Sequence, residues 1–217
     1  MQNNLTILVP AYNEAPRIGP VLEVICTYVG PKRVVVIDDG STDGTAEVSR
    51  KYPVELIELG INRGKGAALQ AGIDHVGNTD YWIFIDADLI NFHHGHLDEL
   101  LTPLQNNDNL AMTVGVFRGG GTLTDLAHRY FDILNGQRGL RGSFINSLPN
   151  LSWCRFGVEV FISKYAASKN YAVSYPYLKK LTHHMKEAKF GFARGLLSRL
   201  QMYKECLKAL FTWNKYC

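Results

Sequence analysis

Tyr81-Trp82-Ile83-Phe84-Ile85-Asp86-Ala87-Asp88-Leu89 starts as an apolar run of aromatic and β-branched residues and ends on two carboxylates. The run lacks polar alternation, which predicts a strand covered on both faces, as in a parallel sheet flanked by helices. The carboxyl ends of such strands border the crevice where ligands bind. Asp86 and Asp88 lie two residues apart, so in extended geometry their side chains point the same way and repel unless a cation sits between them. Hard oxygen ligands of this kind suit Mg²⁺ or Mn²⁺, above all when a bound diphosphate completes the shell. For an isolated Asp-x-Asp the competing reading is a strand ending in a solvated acidic turn. The neighbouring stretches weigh against it.

Upstream, residues 5–9 form an apolar strand stopped by Pro10, and Ala11-Tyr12-Asn13-Glu14 lead into a helix predicted over 17–28. A second strand, 34–37, breaks at Asp38-Asp39-Gly40-Ser41-Thr42-Asp43-Gly44-Thr45, whose Gly, Ser and Asp residues supply turns and a helix cap. A helix over 46–51 then leads to a third strand at 54–59. Strands that each return through a helix predict βαβ units with right-handed crossovers. Asn62-Arg63-Gly64-Lys65-Gly66 opens the next helix, with glycines on either side of a lysine, where backbone N–H groups and a cation can face a phosphate. It is not the P-loop pattern.

Composition limits the rest. A chain of 217 residues, 46% hydrophobic, fits one domain with an appendage. The expected division is 1–185 for the α/β domain and 186–217 for a basic, amphipathic helical segment. The formal net charge is only +3, but from Lys186 onward seven Lys or Arg face Glu187 and Glu205 alone. Cys26, Cys154, Cys206 and Cys217 show neither zinc-site nor disulfide-framework spacing, which favours a reducing cytosol. No apolar run approaches the ~18–20 residues that span a bilayer, and the N-terminus enters a strand almost at once. A cytoplasmic protein, peripheral at the inner face of the membrane, is expected. Nucleic-acid binding is not, because the basic residues follow one helix rather than a groove lined with base-stacking aromatics.

Pro10-Ala11-Tyr12-Asn13-Glu14, the 37–45 turn, Asn62-Arg63-Gly64-Lys65-Gly66 and Asp86-Ala87-Asp88, in this order and spacing, resemble the family 2 glycosyltransferases with the GT-A fold. The resemblance is dense over roughly the first 90 residues. It implies a Rossmann-like, mostly parallel sheet flanked by helices, and a nucleotide-binding role for Pro10, Ala11, Tyr12, Glu14, Asp39, Lys65 and Asp86. Tyr12 would stack on the base, Glu14 lie near the nucleoside and Asp39 meet the base edge. Lys65 would sit near the phosphates, while Asp86 and Asp88 hold the ribose and a metal-bound diphosphate. Taken singly, each residue has a plainer reading: packing for Tyr12, helix capping for Asp39, a solvated loop charge for Lys65.

Three histidines, His93, His94 and His96, precede a helix predicted over 97–104, and a flexible loop outweighs a metal site there because Gly95 disrupts a ligand-aligning face. Residues 110–117 read as a strand running into Arg118 and glycines; a helix over 124–134 follows and reaches Asn135-Gly136-Gln137-Arg138. This half looks like the dolichyl-phosphate mannosyltransferase branch, with Asn135 in place of the usual serine. By that likeness Arg118 and Arg138 contact donor and acceptor phosphates, which a planar guanidinium suits. Glu159, alone in an apolar run, would be the general base for a hydroxyl acceptor, an organiser of the arginines for a phosphate acceptor, or one half of a buried ion pair. A last strand is expected within 171–177. His184, favoured over His183, would return to the metal.

Over 190–216, Phe192, Leu196, Leu200, Tyr203, Leu207, Leu210 and Phe211 fall on one helical stripe with the basic residues mostly elsewhere. Such a helix suits a membrane interface with anionic lipid, or packing on its own domain or on a second copy of the chain in a homodimer. The resulting expectation is an inverting, metal-dependent transferase using a UDP- or GDP-sugar and polyprenyl phosphate, with Asp88, Glu159 and Arg138 as its catalytic residues. The alternatives are a soluble transferase for a small phosphorylated or hydroxyl acceptor, as in glucosyl-phosphoglycerate synthesis, and a non-catalytic nucleotide-sugar binder.

Overall fold

The computed structural model describes residues 4–30, 32–116 and 135–183, together with 205, 208, 209, 211, 212 and 215 of the C-terminal segment. Arg118, His184, the helix expected over 124–134 and most of the basic stripe lie outside the described residues.

Strands β1 (Leu5–Ala11), β2 (Lys32–Asp38), β3 (Glu55–Glu58) and β4 (Tyr81–Phe84) alternate with helices α1 (Ala15–Thr27), α2 (Thr45–Ser49) and α3 (Lys65–Val76). There follow β5 (Leu89–Ile90), α4 (His94–Asn106), β6 (Leu110–Val114), β7 (Arg138–Arg141), the helices Gly142–Ser147 and Val158–Ser168 with a 3-10 segment, Ser152–Gly157, between them, and finally β8 (Ala172–Ser174) and β9 (Thr182–His183). Seven strands make one sheet in the order β3-β2-β1-β4-β7-β6-β8, and β5 pairs with β9 apart from it. The β3-β2-β1-β4 half is parallel, as βαβ crossovers require. β7 runs antiparallel to both its neighbours, so the sheet is mixed at that point.

Successive residues of one strand feed opposite cores. Ile7, Val9, Tyr81 and Ile83 pack with Ile18, Leu22 and Ile25 of α1 and Leu97, Leu100 and Leu104 of α4. Leu8, Trp82 and Phe84 face the other way, toward Leu69 of α3 and Phe161 and Ile162 of the helix Val158–Ser168. Strand residues alternate between faces, so this is why 81–84 carries apolar side chains at every position. Burial of each such side chain contributes about 1.5–3 kcal/mol.

The three histidines open α4. The His93 side chain and the His96 backbone form one arm of a reciprocal capping box, and His96 Nδ1 accepts the His93 N–H at 3.3 Å. His96 Nε2 meets the Lys179 carbonyl at 3.0 Å, and the ring is 1% exposed. Burial pushes its pKa down, so the ring is held neutral. The helix therefore begins three residues earlier than its apolar periodicity suggests.

At the β2–β3 edge, Arg33 grips Glu55 with Nε and NH2 at 2.5 and 2.6 Å, and this fork lowers the Glu55 pKa to about 2 from 4.5. A depressed carboxyl contributes stability above its unfolded value and loses it as pH falls through the folded one. The urea midpoints of the wild type and Arg33→Ala are therefore expected to differ above pH 4.5 and to converge as pH drops to about 2. The two side chains are 37% and 41% exposed, so solvent screening keeps the gap below about 1 kcal/mol. A gap that stays constant down to pH 2 would refute the assignment.

Candidate active site

The loops leaving β1 and β2 are stitched into one surface. Asn13, at φ +56°, donates its N–H to Ser41 Oγ at 2.9 Å and accepts the Thr42 N–H on Oδ1 at 2.9 Å. The Glu14 N–H reaches Thr45 Oγ1 at 2.8 Å, and the Ala15 N–H reaches Asp43 Oδ2 at 3.0 Å. The Ser/Thr/Asp content of the 38–45 turn thus caps α1, a neighbouring element, as well as its own helix. Tyr12 stands on this surface 39% exposed, and Glu14 pairs with Arg17 at 3.2 Å.

Asp39 is 3% exposed and accepts the N–H groups of Arg63 and Gly64, each at 2.7 Å. Burial pushes its carboxyl above the ordinary range, against the pull of those two donors and of Arg155. In this conformation Asp39 orders the loop that opens α3.

The glycines of that loop serve packing. A Cβ on Gly66 would lie 2.4 Å from the Leu151 carbonyl oxygen, and one on Gly64 would lie 2.9 Å from Arg155 Cβ. Their smallness admits the 3-10 segment against the start of α3. Arg155, at φ +47°, closes this contact through the Arg63 carbonyl at 3.3 Å and Asn62 Oδ1 at 3.4 Å. Glu205 of the C-terminal segment holds Arg155 Nε at 3.0 Å and the Phe156 N–H at 3.1 Å. Among the described residues of this segment Ala209 is 1% exposed and Phe211 is 75% exposed.

Beyond β4 the chain leaves extended geometry. Ala87 and Asp88 form a turn before β5, so strand alternation does not set the relative direction of Asp86 and Asp88 as the spacing suggested. The cation beside Asp86 belongs to the chain: Lys65 Nζ donates to Asp86 Oδ1 and to Glu159 Oε1, both at 2.5 Å. Burial works to lower the Lys65 pKa, but the two carboxylates outweigh it and hold the ammonium above its usual value. Gln137 Nε2 donates to Asp86 Oδ2 at 2.8 Å.

Arg138 is 1% exposed. Its guanidinium donates to the Asn135 carbonyl (3.0 Å), to Ser163 Oγ (3.0 Å) and to the Glu159 carbonyl (3.1 Å). Burial lowers its pKa to about 10, against the fields of Glu159, Tyr175 and Asp86, so it stays charged at neutral pH. In the described residues Arg138 ties β7 to the helix that presents Glu159. Glu159, 8% exposed in the first turn of that helix, pairs with Lys65.

The donor chemistry at Asp86 and Asp88 fits a hard divalent ion. Gly136 lets backbone approach so closely that a Cβ there would stand 2.5 Å from Asp86 Oδ2. Among the described residues no three His, Cys, Asp or Glu side chains converge on one point. An ion held by Asp88 and Asp86 would draw further oxygen ligands from a bound diphosphate, the usual habit of Mg²⁺. Gln137 and Arg155 were not singled out from sequence. Gln137 sits inside the quoted 135–138 stretch as an uncharged residue, and the importance of Arg155 comes from contacts with loops far away in the chain.

The sequence model of glycosyl transferase family 2 matches residues 6–168. A curated relative, the 4,4'-diaponeurosporenoate glycosyltransferase of Staphylococcus aureus, is 36% identical over 107 residues; this covers 47% of the chain and 28% of that enzyme, so the chain spans well under a third of its length. Glucosyl-3-phosphoglycerate synthase from Mycobacterium tuberculosis, solved with Mn²⁺, UDP and glucosyl-3-phosphoglycerate, superposes with a TM-score of 0.80 at 23% identity, covering 97% of this chain and 80% of that one. Its complex with Mg²⁺ and UDP superposes at 0.73 with 21% identity, over 94% of this chain and 79% of that one. At those identities the likeness speaks for the fold. Since the family model takes in three quarters of the chain and all four motif stretches, the chain belongs to glycosyl transferase family 2 and carries its GT-A fold.

Proposed function

We propose that the chain transfers a sugar from a UDP- or GDP-sugar to an anionic acceptor, foremost a polyprenyl phosphate at the inner face of a membrane, with inversion at the anomeric carbon. The observation that carries this reading is the meeting of Asp86, Lys65, Glu159 and Gln137 within hydrogen-bond distance at the carboxyl end of β4, beside the nucleotide-side loops of β1 and β2. Tyr12, Glu14 and Asp39, with Pro10 and Ala11, would form the nucleoside side, and Lys65 and Arg118 the phosphate side. Asp88, with Asp86 and His184, would hold Mg²⁺ or Mn²⁺, which supplies Lewis-acid neutralisation of the leaving diphosphate.

Glu159 supports an acceptor that arrives already ionised. Its carboxylate is engaged by Lys65 at 2.5 Å, and to serve as a general base it would first have to leave that ammonium. A phosphate oxygen attacks the anomeric carbon without giving up a proton; the new C–O bond forms as the bond to the nucleotide diphosphate breaks, and the diphosphate departs with the electron pair. The basic residues of 186–217 suit an anionic membrane surface. No helix among the described residues is long and apolar enough to cross a membrane. A second reading, a small phosphorylated acceptor, is favoured by the 0.80 TM-score to the phosphoglycerate enzyme.

A panel of UDP- and GDP-sugars with Mg²⁺ or Mn²⁺, offered a short-chain polyprenyl phosphate or 3-phosphoglycerate, separates the two readings. The expected result is transfer to the lipid phosphate, lowered at least about 100-fold by Asp88→Ala. Transfer to phosphoglycerate alone would sink the lipid-phosphate reading, and transfer that Asp88→Ala leaves untouched would sink the metal role of Asp88.

A further inference from the structure

We infer that Gln137 is a positioning residue for the donor site: its amide fixes the Asp86 carboxylate from the side opposite Lys65. The inference rests on the functional reading above only in taking Asp86 as a donor contact. β7 pairs antiparallel with β4, with Phe84 opposite Arg138, so the residues just before β7 come alongside those just after β4. Gln137 lies there fully buried, at 0% exposure, its carbonyl accepting the Gly115 N–H at 2.9 Å. Its Nε2 donates to Asp86 Oδ2 at 2.8 Å while Lys65 Nζ holds Oδ1 at 2.5 Å. Gly136 leaves room for this approach, and Arg138, through the Asn135 and Glu159 carbonyls, anchors the segment that delivers it.

The other end of the amide shows what the position is for. Gln137 Oε1 is buried and meets no hydrogen-bond donor among the described residues. An apolar side chain would fill the same space without leaving an acceptor unpaired, so the N–H donated to Asp86 is the part the site needs. Turning the amide over would set an oxygen against the carboxylate, so an ionised Asp86 also fixes which way the amide faces. Lys65 is shared with Glu159, whereas Gln137 is an uncharged partner held on Asp86.

A double-mutant cycle on the full chain tests this. UDP and GDP affinities, with Mg²⁺ present, are measured by calorimetry for the wild type, Gln137→Met, Asp86→Asn and the double variant. Urea unfolding of the same proteins confirms that each is folded. Gln137→Met is expected to weaken the better-bound nucleotide about tenfold in the wild-type background and less than twofold in the Asp86→Asn background, because its effect passes through Asp86. Equal losses in both backgrounds, or no loss in either while the wild type binds, would mark Gln137 as packing and overturn the inference. A folded wild type that binds neither UDP nor GDP would instead overturn the functional reading. If Gln137→Met fails to fold, Gln137→Glu carries the same comparison, keeping the size of the side chain and replacing the donor with an acceptor.

Discussion

Lys65→Met is expected to destabilise the fold by about 3–5 kcal/mol, the cost of stripping the cation from buried carboxylates. The Lys65 side chain is 16% exposed and its partners Asp86 and Glu159 are 21% and 10% exposed, so solvent offers little compensation. Without the ammonium, two anions face one gap in a region of low dielectric. The pH course follows from the raised Lys65 pKa: the ammonium's contribution is fully present below the unfolded value of 10.5 and is lost only as pH rises through the still higher folded value. The gap in unfolding free energy between wild type and variant should therefore stay constant from about pH 6 to 9. Adding Asp86→Asn to Lys65→Met should recover part of the loss, since one of the two facing charges is gone. Urea unfolding measures both; a loss under about 1 kcal/mol would mean that the pair is solvated and organises nothing.

Arg138→Met should likewise show itself in folding, with a loss of about 3 kcal/mol or more. Acceptors that include the carbonyls of Asn135 and Glu159, the Ser163 hydroxyl and the Met112 sulfur would lose a charged donor inside the core. A methionine fills much of the space, so packing alone does not explain a loss of that size. If Arg138 served to grip phosphate, the variant would keep its urea midpoint and lose ligand affinity instead. Denaturant unfolding, read beside nucleotide affinity in the variants that remain folded, tells the two apart. Affinity lost at unchanged stability would return Arg138 to a direct catalytic role.

Lys65 and Arg138 illustrate a single lesson about charge. Lys65 reads as a phosphate contact because it stands between glycines at a helix start, and Arg138 by the family likeness alone. Whether such a cation faces solvent, ligand or the interior depends on which distant segment covers it. Lys65 meets Asp86 and Glu159, and Arg138 meets the helix Val158–Ser168. Asp39 follows the same rule, for its carboxylate meets Arg63 and Gly64 in a loop more than twenty residues away.

Sequence alone determined the α/β class, the parallel β1–β4 half and the arrival of the four motifs at strand ends, because apolar periodicity and Gly/Asp punctuation act within a few residues. Only the tertiary structure decided that β7 enters antiparallel between β4 and β6, setting Gln137 against Asp86, that Glu159 closes on Lys65, and that Glu205 docks on Arg155. The side-chain contacts among these join residues about fifty or more positions apart. Their partners are chosen by strand register and by the need to pair every buried charge, and neither leaves a local trace in the chain.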